Sequence, residues 1–157
     1  MITGFNHTSF TVPDLDRALR FWTEALGFRI ASVGERSGDW QARVTGVPGA
    51  RLRVAHLDGY GHHMEFIQYL SGTPAALRYE PNMAGAAHVC LEVTNIHRTA
   101  ARLLAAGATL QGEMVEVTTG VAVGGWAGYI RDPNGIIIEL YEPAAAKSPQ
   151  RTIESAS

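Results

Sequence analysis

Two stretches of the chain decide its fold: residues 7–22 read HTSFTVPDLDRALRFW, and residues 88–103 read HVCLEVTNIHRTAARL. An offset of 81 residues, from 7 to 88, places His7 on His88 and keeps an arginine ten residues further on in both copies. Self-similarity at a fixed spacing indicates a repeated structural unit. The chain is therefore expected to contain two copies of one module.

Each copy predicts a strand followed by a helix. The opening residues alternate between apolar and polar, as they do in a half-buried strand. Asp14 or Asp16 in the first copy and Asn95 in the second can cap the helices that follow, and Gly27 and Gly107 suit their carboxyl ends. The apolar residues at helical spacing are Leu15, Ala18, Leu19, Trp22, Ala25 and Leu26 in the first copy and Ile96, Ala100, Leu103 and Leu104 in the second.

Three strand-like segments follow each helix, which makes each copy a β-α-β-β-β module. The segments are 28–36, 51–57 and 62–70 in the first copy and 108–117, 124–131 and 136–142 in the second. One module alone can bury only one face of its sheet, so we expect the two to pack together. The sequence thus predicts an α+β protein whose two modules form curved mixed sheets around a cleft.

The two modules are expected to form one domain, residues 1–142, with the modules at 1–70 and 86–142. Residues 71–85 are rich in Gly, Pro and Ala and are the predicted linker. Residues 143–157 lack apolar periodicity and are predicted to be a disordered tail.

Composition excludes several classes of protein. The 157 residues carry a formal net charge of −2 and no basic run, so a nucleic-acid partner is not expected. No apolar stretch approaches the ~20 residues that span a bilayer, and no signal peptide is visible. A single cysteine, Cys90, fits a reducing compartment. We expect a cytoplasmic protein that acts on a small molecule.

Four side chains stand out because they recur at matching places. His7 and His88 open the first strand of each module, and Glu65 and Glu139 lie inside apolar runs on the last strand. An ionised carboxylate in such a run needs a cation or a donor beside it. Each residue taken alone is explained by hydrogen bonds or by an arginine partner, but the symmetric set predicts one shared metal site.

The composition of this set restricts the metal. Two neutral imidazoles and two carboxylates cancel the charge of one divalent ion and suit Mn, Fe, Co, Ni or Zn. Four protein ligands on an octahedral ion leave two positions open. If these positions are adjacent, they can hold two neighbouring oxygens of a substrate.

These residues resemble the vicinal oxygen chelate superfamily, which includes glyoxalase I, methylmalonyl-CoA epimerase, fosfomycin-resistance enzymes, bleomycin-binding proteins and extradiol dioxygenases. The resemblance spans residues 1–142 and includes MEFIQY at 64–69 and RDPNG at 131–135. It implies the duplicated fold, and it implies that His7, Glu65, His88 and Glu139 are the metal ligands. It also implies a homodimer, with ligands from one chain or from both.

The chemistry that fits this site is proton transfer. A metal that holds two vicinal oxygens acts as a Lewis acid and can stabilise an enolate or enediolate, as in lyases and isomerases of glyoxalase or epimerase type. Glu65 and Glu139 are the candidate catalytic bases. The alternatives are an extradiol-type dioxygenase, a drug-binding or ligand-binding resistance protein without catalysis, and fosfomycin-type thiol transfer with His63 as a switched ligand.

Other residues have weaker functional interpretations. Arg51 and Arg53 can hold a substrate carboxylate or phosphate, or they can be solvated surface residues. Trp126 and Tyr129 can line a pocket or pack in the core. Cys90 shares a face with His88 and is expected to be a small buried filler. The histidines without a counterpart in the other module, expected to be surface or structural, are His56, His62 and His97.

Overall fold

The computed structural model describes residues 1–72 and 78–144. The first module contains β1 (Thr8–Thr11), α1 (Leu15–Arg20), which continues into one π-helical turn (Phe21–Ala25), β2 (Arg29–Ser37), α2 (Asp39–Thr45), β3 (Arg51–Gly59) and β4 (His62–Tyr69). The second contains β5 (His88–Glu92), α3 (Ile96–Ala105), β6 (Thr109–Leu110), β7 (Val115–Glu116), β8 (Trp126–Arg131) and β9 (Ile137–Glu142).

Each module forms its own mixed sheet. The first sheet has the strand order β1-β4-β3-β2, and the second has the order β5-β9-β8-β6 with β7 also paired to β8. In both sheets the opening strand runs parallel to the last strand of the module, and the other pairings are antiparallel. The α+β class with two mixed sheets is confirmed.

Three details of the sequence-based prediction were wrong. The segment 108–117 is not one strand, because only its two ends pair with β8. Helix α2 was not anticipated, since it lies where a loop between two strands was expected. Strand β1 begins at Thr8, so His7 lies one residue before the strand. The linker is described except for residues 73–77, and most of the predicted tail lies outside the described residues.

The helix ends follow the sequence signals. Asp14 and Asn95 are the N-cap residues of α1 and α3, and the side chain of each accepts a hydrogen bond from the backbone N–H three residues on. Gly27 and Gly107 have φ values of 80° and 100°, a conformation that only glycine adopts without strain. In both modules, therefore, a capping Asp or Asn marks the start of the helix and a glycine marks its end.

The two modules share one hydrophobic core. Buried residues of both contribute to the same cluster, among them Trp22 and Phe66 of the first module and Ile96 and Leu140 of the second. A smaller apolar cluster lies under the segment that follows α2, around Leu52. The shared core covers one face of each sheet, as expected for modules that cannot stand alone.

A buried carboxylate joins the modules. Asp132, in the turn between β8 and β9, accepts a hydrogen bond from the Trp22 indole N–H at 3.1 Å. The backbone N–H groups of Asn134 and Ile136 donate to the other oxygen at 2.8 Å. Burial raises the pKa of Asp132, although these hydrogen bonds oppose the shift. Asp132 therefore holds its own turn closed and attaches it to the first module.

The part of the linker closest to the second module is docked on it. The guanidinium of Arg131 is buried and donates to the backbone carbonyl of Tyr79 at 2.7 Å and to the carboxylate of Glu80 at 3.3 Å. Within residues 1–72 and 78–144, no helix is both long enough and apolar enough to cross a membrane.

Substitution of Asp132 by Ala is expected to destabilise the protein by about 3 kcal/mol, because buried N–H donors lose their acceptor. The measurement is the free energy of unfolding in urea at pH 7. Asp39→Ala, at the exposed start of α2, is the control and should change this free energy by less than ~0.5 kcal/mol.

The raised pKa of Asp132 also predicts a pH dependence. A carboxyl whose folded pKa lies above its unfolded value stabilises the fold while protonated, and that contribution is lost as pH rises through the folded pKa. Relative to Asp132→Asn, the wild-type free energy of unfolding should fall as pH rises from about 4. Parallel pH curves for the two proteins would contradict this assignment.

Candidate functional site

The first module brings His7 and Glu65 together. Strand β4 alternates, so the neighbours of Glu65 on either side, Met64 and Phe66, are buried in the core and the carboxylate lies on the opposite face. Nε2 of His7 lies 3.4 Å from Oε1 of Glu65. The hydroxyl of Ser9, directly opposite on β1, donates to the same oxygen at 2.8 Å.

Two further histidines extend this pair. His56 on β3 lies opposite Glu65, with Nε2 3.6 Å from Oε2 of the carboxylate. Its ring stacks on that of His63 and shares a hydrogen bond with it, and His63 in turn bonds Asp58. Burial lowers the pKa of His56, while Glu65 raises it less. A row of four polar side chains thus leads from Glu65 to the end of the β3–β4 hairpin.

The second module repeats the pair. Nε2 of His88, the first residue of β5, lies 3.1 Å from Oε2 of Glu139 on β9. The residues beside Glu139, Ile138 and Leu140, are buried in the core, so this carboxylate also lies on the face away from it. Cys90 lies opposite Glu139, and partial desolvation, followed by the charge of that carboxylate, raises the pKa of its thiol.

Tyr129 lies beside the His88–Glu139 pair. It lies opposite Glu139 on β8, and its ring centroid is 5.1 Å from that of His88. Burial, followed by the charges of Glu139 and Cys90, raises the pKa of its hydroxyl. Tyr129 and Glu139 line an open cavity of about 420 Å³, whose wall also includes the linker residue Pro81.

The two modules have the same arrangement of strands around the glutamate but different side chains at the neighbouring positions. The residue opposite the glutamate on the opening strand is Ser9 in one module and Cys90 in the other. The residue opposite it on the neighbouring antiparallel strand is His56 in one and Tyr129 in the other. The histidine–glutamate pair is therefore the feature that both modules share.

The two pairs do not contact each other. Among the described residues, no hydrogen bond, ion pair or ring contact joins His7 or Glu65 to His88 or Glu139, and no group of three or more His, Cys, Asp or Glu side chains is arranged to hold a metal. The opening strands explain the separation. Phe10 packs on the shared core between exposed neighbours, as does Leu91 in the second module, so both pairs face outward.

Several expectations about other residues are corrected by the structure. Arg53 is not available for a substrate, because Asp16 of α1 binds its guanidinium through two hydrogen bonds of 2.8 and 3.0 Å. The two interpretations left open for the aromatic residues both occur and need no correction: Trp126 packs on the shared core and on the ring of His97, 4.8 Å away between centroids, whereas Tyr129 lines a cavity. Cys90 is exposed rather than buried. His56, expected to be surface or structural, contacts Glu65.

The hairpin turns contain the signal that would have paired His56, which was missed, and Tyr129, which was named only as pocket-lining, with the two glutamates. In the first module, Gly59 pairs with His62, and counting back along both strands brings His56 opposite Glu65. The DPNG turn after β8 gives Tyr129 opposite Glu139 by the same count. The antiparallel register identifies the residues opposite the two glutamates, whereas alternation along a single strand does not.

The donor set fits a divalent ion. Each pair offers one imidazole nitrogen and one carboxylate, and two such pairs balance two positive charges. Neither pair alone supplies the four ligands. The arrangement can hold one metal only if a His7–Glu65 pair meets a His88–Glu139 pair.

Comparison with known proteins gives consistent matches over almost the whole chain. Residues 4–140 match the model of the Glyoxalase/Bleomycin resistance protein/Dioxygenase superfamily. The chain is 32% identical over 155 residues to a protein named 2-epi-5-epi-valiolone epimerase from Actinomyces sp., with 94% of this chain and 84% of that protein covered. It is 26% identical over 152 residues to a lactoylglutathione lyase of Haemophilus influenzae, with 90% and 94% covered.

A solved structure also matches. The crystal structure of a glyoxalase family protein from Bacillus cereus superposes with a TM-score of 0.80 and 28% sequence identity. The match covers 92% of this chain and 97% of that one.

The contact between Cys90 and Glu139 predicts a slow thiol. Cys90 is exposed, but partial desolvation of its thiol and the nearby carboxylate raise the thiol pKa. Alkylation of metal-free protein by iodoacetamide should therefore be slow at pH 8 and still accelerate above pH 9. Because the chain has one cysteine, labelling followed by mass spectrometry reports this site alone. Glu139→Gln should increase the rate at pH 8 several-fold, and Glu65→Gln, the matched control, should not. An unchanged rate in Glu139→Gln would contradict the contact.

Proposed function

Because the chain belongs to the glyoxalase/bleomycin resistance protein/dioxygenase superfamily, we propose that it is a divalent-metal-dependent isomerase or lyase acting on a small substrate with two adjacent oxygens. The observation that carries the proposal is that each module sets a histidine against a glutamate on the face away from the core. The relatives named as an epimerase and as a lactoylglutathione lyase support this kind of reaction.

The proposed metal ligands are His7, Glu65, His88 and Glu139, holding one ion of Mn, Fe, Co, Ni or Zn. When bound, such an ion polarises the two substrate oxygens and stabilises the negative charge that develops as a proton leaves the adjacent carbon. The side chains of this protein would remove and return the proton and orient the substrate.

The proposed site is formed by two chains. Both pairs face outward from the shared core, so the first module of one chain has to meet the second module of its partner. A homodimer with a two-fold axis would create two such sites at once. The exposed edge strands β1 and β5, which lead from the two histidines, are the surfaces that this arrangement would bring together.

The two glutamates have different surroundings, which suggests different roles. Glu65 contacts His7, His56 and Ser9, so its carboxylate is held in one orientation. Glu139 lines the 420 Å³ cavity and is therefore the carboxylate best placed to reach a substrate carbon. We assign Glu139 as the base that removes the proton.

The return of the proton decides the reaction type. A lyase or a ketone isomerase can return the proton from the same carboxylate. An epimerase must supply a second proton to the opposite face of the carbon. Glu65, contributed by the other half of the site, is the proposed donor, and it can act only when it is protonated and not bound to the metal, while Glu139 keeps the proton that it removed. Tyr129, beside the cavity, can hydrogen-bond a substrate oxygen through its protonated hydroxyl.

The assignment of the base predicts different behaviour for two conservative variants. Glu139→Gln should abolish both turnover and exchange of the substrate C–H with solvent deuterium, because no base remains. Glu65→Gln should lose turnover of an epimerase substrate at least 100-fold yet retain exchange. The measurement is proton NMR in D₂O on a panel of hydroxyketones, 2-oxo acids and cyclitol ketones. Full turnover in both variants would overturn the proposed chemistry.

The two-chain site predicts complementation between inactive variants. One variant combines His7→Ala with Glu65→Gln, and the other combines His88→Ala with Glu139→Gln. Neither homodimer has an intact site, whereas a mixed dimer has one intact site and one that lacks both pairs. An equimolar mixture refolded together should bind tightly about a quarter of the Zn²⁺ bound by wild type, because about half of the dimers are mixed.

The control for this experiment is the same pair of variants kept separate and then combined after folding under conditions that prevent exchange. Those samples should stay free of tightly bound Zn²⁺. A site built within one chain would leave the refolded mixture equally free of metal, and that result would exclude the two-chain arrangement.

A further inference from the structure

Arg36 lies on the same face of the first sheet as the His7–Glu65 pair. The register defines rows of side chains across this face, and one row contains Ser9, Glu65, His56 and Ser32. Gly34 lies one row further along β2, and Arg36 lies two rows further. Directly paired residues point to the same side of a sheet, so Arg36 and Glu65 share a face.

The Arg36 side chain is folded back toward the Glu65 row. Its guanidinium lies over Gly34, where a Cβ would come within 2.6 Å of Nη1. Gly34 does not have a positive φ, so its backbone does not require glycine. The missing side chain at Gly34 instead provides the space in which the guanidinium lies.

The guanidinium is open to a ligand. Its Nη1 donates to the backbone carbonyl of Glu35 at 3.1 Å, which fixes the folded-back conformation. Within the described ranges, no carboxylate forms an ion pair with Arg36. Arg53, by contrast, points to the helix side of the same sheet and is neutralised by Asp16. The positive charge of Arg36 also lowers the pKa of His56, although less than burial does.

We propose that Arg36, resting over Gly34, binds a carboxylate or phosphate group of the substrate through its planar pair of N–H donors. This inference rests on the proposed function, because it assumes that the vicinal oxygens of the substrate lie at the His7–Glu65 pair. An arginine binds an oxyanion in this bidentate way more specifically than a lysine does.

The position of the guanidinium restricts the substrate. Gly34 and Glu65 are two strands and one row apart, which corresponds to roughly 10 Å across the sheet and 7 Å along it. An anion on the guanidinium over Gly34 therefore lies on the order of 10 Å from oxygens chelated at the His7–Glu65 pair. Three-carbon 2-oxo acids are too short. The substrate class is a compound with two adjacent oxygens and a distal phosphate or carboxylate.

The test is an NMR titration of the arginine Nε–H resonances in the full-length protein loaded with diamagnetic Zn²⁺. Inorganic phosphate and acetate are the two probes. The Arg36 resonance should shift saturably with one of them, at a concentration at least tenfold lower than any response of Arg51, the exposed control arginine on β3. Tighter binding of phosphate would indicate a phosphorylated substrate, and tighter binding of acetate would indicate a carboxylate.

Three variants decide the outcome. Followed at the backbone N–H resonance of Glu35, which every variant keeps, the saturable response to the probe should disappear in Arg36→Gln and weaken at least tenfold in Arg36→Lys and Gly34→Ala. Arg51→Gln should leave it unchanged. Equal, unsaturable shifts at Arg36 and Arg51 would overturn the anion subsite. So would a saturable response that survives in Arg36→Gln.

This failure is distinguishable from failure of the proposed function. The titration does not require turnover, whereas the deuterium exchange of neutral hydroxyketones does not require Arg36. If the subsite is wrong, Arg36→Gln and wild type exchange neutral and anionic substrates equally well. If the subsite is correct, Arg36→Gln raises KM for the anionic substrates at least tenfold and leaves kcat within about twofold.

Discussion

The shared hydrophobic core determines where the polar chemistry of this protein can lie. Each module has one sheet, and each sheet has one face to bury, so the helices and inner faces of both modules meet in a single cluster. Residues that alternate with core residues then lie on the other face of each sheet, part of which the smaller cluster around Leu52 covers in the first module. Glu65 lies between Met64 and Phe66, and Glu139 lies between Ile138 and Leu140, so neither carboxylate can turn inward without breaking the core.

Within this constraint, the two copies have kept one feature and changed the rest. The histidine–glutamate pair is the same in both, and the geometry of the opening and closing strands maintains it. The flanking positions differ: the first module surrounds its glutamate with imidazoles and a hydroxyl, and the second surrounds it with a thiol and a phenol. A carboxylate held by several partners suits binding, and one that borders a cavity suits proton transfer. A duplicated scaffold can therefore divide two roles between equivalent residues.

The sequence predicted the order of the elements well and the neighbours of the site less well. The cap residues Asp14 and Asn95 and the helix-ending glycines were identified correctly because their signals are local. The π-helical turn, helix α2 and the break in segment 108–117 were missed because tertiary packing decides them. His56 was misinterpreted because its importance comes from cross-strand pairing with Glu65, which is 9 residues away in sequence and adjacent in space.

The proposed homodimer accounts for the outward direction of both histidine–glutamate pairs. A two-fold axis that brings the first module of one chain onto the second module of another also brings the reverse pair together, so one arrangement would use both pairs of both chains. Asp132 bears on this proposal indirectly, since its bond to Trp22 attaches the β8–β9 turn of the second module to the first module within a chain. The proposed dimer therefore depends on this buried junction, because the two modules have to be joined in each chain before their outer faces can form sites with a partner.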